Sequence, residues 1–61
     1  MLHQYLVILR EADGTSATVP LVCSPIEVMG RARALLDASG AQTAEVLQGV
    51  DHLYTLAASD I

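Results

Sequence analysis

Hydrophobic and polar positions along the chain fall into four short strand-like runs and one stretch at helical spacing. The first run, His3 to Arg10 (HQYLVILR), is rich in large and β-branched aliphatic residues and stops at a turn signal, Ala12-Asp13-Gly14-Thr15. Gly14 can take a positive φ at little cost and Asp13 can bond its own backbone, so this strand enters a hairpin. The return strand is Ala17 to Cys23 (ATVPLVC). Its Pro20 has no N–H to give to a ladder, which puts this strand at a sheet edge or on a bulge.

Ser24-Pro25-Ile26-Glu27 then reads as a helix start, with a serine N-cap, proline at the first helical position and glutamate closing a capping box. The apolar stripe Val28, Met29, Ala32, Leu35, Leu36 lies on one face at 3.6 residues per turn. Glu27 and Arg31 are four apart and suit an exposed ion pair. Gly40 fits a left-handed stop. Gly30 opposes the helix by about 1 kcal/mol relative to alanine, which suggests a place where the helix comes close to the sheet. Gln42 to Gln48 (QTAEVLQ) reads as a third strand, Gly49-Val50-Asp51 as a turn and His52 to Ala57 (HLYTLA) as a fourth, with Ala58 to Ile61 expected to fray.

Assembled, these elements predict a single α+β domain over residues 1–61, a two-layer ββαββ fold. A right-handed crossover through the helix makes strands 2 and 3 parallel and leaves room for strand 1 between them. The expected sheet is four-stranded and mainly antiparallel, in order 2-1-3-4, with the helix on one face. One helix covers one face only, yet strand 1 presents Tyr5, Val7 and Leu9 to one side and Leu6 and Ile8 to the other. Strands apolar on both faces belong to sheets covered on both faces.

Length sharpens the point. A chain of 61 residues buries only about 60% of the surface its unfolded form exposes, and domains of this size commonly need a disulfide, a metal or a partner. The lone Cys23 excludes an internal disulfide, and one cysteine with His3 and His52 matches no customary zinc spacing. No cofactor is expected. A partner subunit is the remaining staple, and the uncovered face is where it would sit. With only Tyr5 and Tyr54 as aromatics, the core must be built from Leu, Val, Ile and Ala.

Seven acidic residues against three arginines give a net charge of −4, which disfavours a phosphate backbone as partner, so no nucleic acid is expected. No run approaches the roughly 18 apolar residues needed to span a bilayer. Nor does the start of the chain carry a basic n-region, so no membrane association and a cytoplasmic setting are expected.

Candidate chemistry is sparse, and the chain is not expected to be an enzyme. Cys23 next to a helix N-terminus could be an activated thiol, but a small buried hydrophobe ending strand 2 is the better reading. His3 and His52 should lie two strands apart, about 10 Å, too far to share a metal. Asp13-Gly14 lacks the ligand series of a calcium loop. Arg31 and Arg33 point about 200° apart on a helix and form no anion clamp.

Across most of its length the chain resembles a group of short bacterial proteins to which no activity is assigned. The matching segments are Tyr5-Leu6-Val7-Ile8-Leu9, Asp13-Gly14, Cys23, Arg31-Ala32-Arg33-Ala34-Leu35-Leu36 and Glu45-Val46-Leu47-Gln48-Gly49. The resemblance implies the same ββαββ fold. The functional expectation is a structural or interaction protein, a homodimer joined through Leu6, Ile8, Leu47 and Tyr54 on the face away from the helix. The alternative is an acidic antitoxin-like or adaptor module that binds another protein.

Overall fold

The structure is a computed structural model that describes residues 1–58. Four strands and one helix follow in the order β1 (His3–Arg10), β2 (Ser16–Cys23), α1 (Val28–Ser39), β3 (Thr43–Gln48) and β4 (Asp51–Ala57). The sheet order is β2-β1-β3-β4, and every neighbouring pair is antiparallel. This is the ββαββ fold that the hydrophobic pattern predicts, and β2 with its Pro20 does lie at an edge.

Each hairpin is set by its glycine. In the first, the Gly14 N–H donates to the Glu11 carbonyl (3.0 Å) and the Glu11 N–H to the Thr15 carbonyl (2.9 Å). With φ of 92° at Gly14, this is a turn closed by a glycine bulge. In the second, Gln48 pairs directly with Asp51, leaving Gly49-Val50 as a two-residue loop. Gly49 has φ 63° and Val50 does not have a positive φ, the combination of a type II′ turn. Beyond it the β3–β4 register shifts, because Val46 opposes Tyr54 while Leu47 opposes His52, so Leu53 is the extra residue of a bulge.

The helix begins later than the capping-box reading places it. The Ser24 hydroxyl donates to Glu27 Oε1 (3.0 Å) instead of receiving a backbone N–H, and the Glu27 N–H donates to the Ser24 carbonyl (3.0 Å). Pro25 to Glu27 therefore form a turn, Glu27 becomes the N-cap, and the first helical bond runs from the Arg31 N–H to the Glu27 carbonyl (3.0 Å). Packing fixes this start, since Val28 is the first residue of the segment to reach the core while Ile26 is 91% exposed. The Glu27–Arg31 ion pair forms at 3.7 Å. At the other end Gly40 adopts φ 73° and its N–H caps the Leu36 carbonyl at 3.2 Å.

The core lies between this helix and one sheet face. Tyr5, Val7, Leu9, Ala44 and Val46 come from the two central strands, Cys23 from β2, and Val28, Ala32 and Leu36 from the helix. Two expectations about the helix are corrected. Met29 is 47% exposed, lying outside the buried 28-32-36 line. Gly30 is exposed and a methyl group there would meet nothing within 4 Å, so it does not mark a close approach to the sheet. Of the segment expected to fray, Ala58 donates its N–H to the Gln42 carbonyl (2.8 Å), and residues 59–61 lie outside the described residues.

Candidate functional site

The face of the sheet turned away from the helix is organised in rows set by the strand register. One row runs Pro20, Leu6, Leu47, His52 across β2, β1, β3 and β4. The next runs Thr18, Ile8, Glu45, Thr55, and the one after it Ser16, Arg10, Thr43, Ala57. On the other side of the Leu6 row, Val22 pairs with Gln4. The face is thus apolar toward the Gly49-Val50 turn and polar toward the first hairpin.

At the apolar end Leu6 is 41% and Val22 56% exposed, well above the core residues on the opposite face. Gln4, Leu6, Pro20, Val22 and Gly49 border an open hollow of about 430 Å³. At the polar end the Arg10 guanidinium binds the Glu45 carboxylate through Nε and Oε2. His52 Nε2 lies 2.8 Å from Thr55 Oγ1, which ties two side chains of this face together along β4.

Three of the four residues expected on this face are brought together there: Leu6, Ile8 and Leu47. Tyr54 is not. Its cross-strand partner is the fully buried Val46, and it packs against the core on the helix side. The one-residue bulge at Leu53 separates the faces of Tyr54 and His52, a change that simple alternation along the fourth strand does not reveal. Pro20 and Val22 were missed as members of the patch. Their signal is the hairpin register, since counting back from the Asp13-Gly14 turn pairs Pro20 with Leu6.

The remaining candidate groups lie elsewhere. Cys23 is buried at 1% exposure on the helix side, directly across from His3 in the β1–β2 register. The ring of His3 is held by Gln48, with Nε2 2.9 Å from Nδ1, and stacks on Tyr5 with centroids 6.2 Å apart. Cys23 and His3 are thus cross-strand neighbours, and burial leaves the thiol without an open approach for a substrate. Burial, with Cys23 and Tyr54 nearby, raises the Tyr5 phenol above its ordinary value. His3 belongs to the helix face and His52 to the open face, so the sheet itself separates the two histidines. Among the described residues no three His, Cys, Asp or Glu side chains gather closely enough to hold a metal ion, and no helix is long and apolar enough to cross a membrane.

What the open face can do chemically is exclude water against a matching surface, with a charge pair and hydroxyl groups fixing orientation at one end. Compared with models of protein families, with curated proteins and with solved structures, the chain matches none.

Proposed function

We propose that this chain is a structural or interaction module that pairs with a second copy of itself through the sheet face opposite the helix. The observation that carries the reading is the row Pro20, Leu6, Leu47 with Ile8 and Val22 beside it, an apolar surface over which the described residues form no second layer. Contiguous exposed apolar surface of this kind marks interaction sites in soluble domains. A cytoplasmic setting belongs to the same reading.

Sedimentation equilibrium over a range of concentrations tests the proposal. The expected result is twice the chain mass for the wild type, and a shift to the monomer for Leu6→Glu with its circular dichroism unchanged, because Leu6 contributes to the open face and not to the core. A wild type that is well folded and monomeric at every concentration would refute self-association.

A further inference from the structure

We infer that the two copies pack with a two-fold axis running along the strands, between β1 and β3, so that β2 of one copy lies over β4 of the other. This inference rests on the self-association reading and specifies its geometry.

Three observations converge on it. First, polarity changes along the strands, from the Val22 end to the Arg10 end. A two-fold axis parallel to the strands lays apolar rows on apolar rows, with Leu6 over the second copy's Leu47. An axis across the strands at the same row would set Val22 over Thr18 and Ile8 over Gln4.

Second, among the described residues the face is electrically balanced although the chain carries a net charge of −4. Arg10 and Glu45 form its ion pair, while Glu11 and Asp13 lie in the first hairpin loop, Glu27 and Asp37 belong to the helix side and Asp51 adjoins the second turn. A second copy thus meets no net charge from the described residues of this face. Under the strand-parallel axis the two Arg10–Glu45 pairs also fall in the same zone, each guanidinium one step along the strand from the other copy's carboxylate. That arrangement is self-complementary, as an isologous interface requires.

Third, area favours full overlap. Four strands about 4.8 Å apart and about seven residues long present a face of roughly 20 by 23 Å. Two such faces cover together about 900–1,000 Å² before side-chain relief, which only just reaches the roughly 1,000 Å² of a specific interface. An axis along the middle of the sheet keeps all of it. An axis across the Leu6 row leaves much of β3 and β4 uncovered, because Leu47 is next to last in β3 and His52 second in β4.

Exposed positions outside the Pro20, Leu6, Leu47 row separate the arrangements without disturbing that row. With sheets about 10 Å apart, the strand-parallel axis places Thr18 over the second copy's Thr55, at roughly 10 Å, and the across-strand axis puts them roughly 20 Å apart. The across-strand axis instead brings Thr18 over Val22. Thr18→Cys, Thr55→Cys and Val22→Cys are each mixed in pairs and treated briefly with a short bifunctional thiol reagent, with the wild type as the measure of background from buried Cys23. The expected result is at least fivefold more covalent dimer from the Thr18→Cys and Thr55→Cys mixture than from Thr18→Cys with Val22→Cys. The reverse preference would overturn the axis while leaving face-to-face association standing. A monomeric wild type by sedimentation would overturn both.

Discussion

Two glycines in and beside the helix carry opposite physical meanings. Gly30 is exposed, has a helical backbone and faces open space, so Gly30→Ala reduces the entropy of the unfolded chain without meeting a neighbour. Gly40, at φ 73°, occupies a left-handed position where a side chain is strained. Gly30→Ala is expected to raise stability by about 0.5–1 kcal/mol and Gly40→Ala to lower it by about 1–2 kcal/mol, read from urea midpoints at unchanged slope. The sequence identified both glycines, but only Gly40's role was legible. A helix stop is a local event, whereas what lies beside Gly30 depends on how the helix docks.

At the scale of the elements, two carboxylates hold chain reversals together. Asp13 accepts the Thr15 N–H (2.9 Å) and hydroxyl (2.7 Å), bonds that hold its carboxyl below the ordinary value. Glu27 is lowered in the same direction, first by the Ser24 hydroxyl and N–H and then by Arg31. A carboxyl whose folded pKa is depressed stabilises the fold above its unfolded pKa and loses that contribution as pH falls through the folded one. Stability is therefore expected to decline on acidification below the ordinary carboxylate range, and an Asp13→Asn, Glu27→Gln double variant to show a shallower decline. Thermal midpoints measured from acid to neutral pH check this. The hairpin at Asp13-Gly14 was fully legible because its chemistry is contained in five residues. The helix start was less so, because the same Ser24 and Glu27 that suggest a capping box bond each other in a turn, and the first true helical residue is decided by Val28 reaching the core.

At the scale of the whole molecule, the Arg10–Glu45 pair joins residues 35 positions apart in the chain. As a surface pair it is worth at most about 1 kcal/mol to the fold of a single chain. In the proposed dimer it does more, since reversing either charge sets like charges against each other across the interface. Arg10→Glu and Glu45→Arg are each expected to weaken self-association about tenfold or more, and an equimolar mixture of the two to recover it. Sedimentation of the single variants and of the mixture measures this. Association unchanged in all three samples would place the pair outside any interface.

The sequence by itself determined the elements, their order and the strand neighbours, because turn glycines, a proline at an edge and aliphatic alternation act over a few residues and leave few ways to assemble four strands and one helix. It also determined that β1 is apolar on both faces. Only the tertiary structure decided which β4 residues share the open face. The bulge at Leu53 sends Tyr54 to the core and His52 to the outside, an outcome of pairing against Val46 and Leu47 that the strand's own sequence does not encode. It likewise decided that Arg10 meets Glu45, since that contact follows from register between strands distant in the chain.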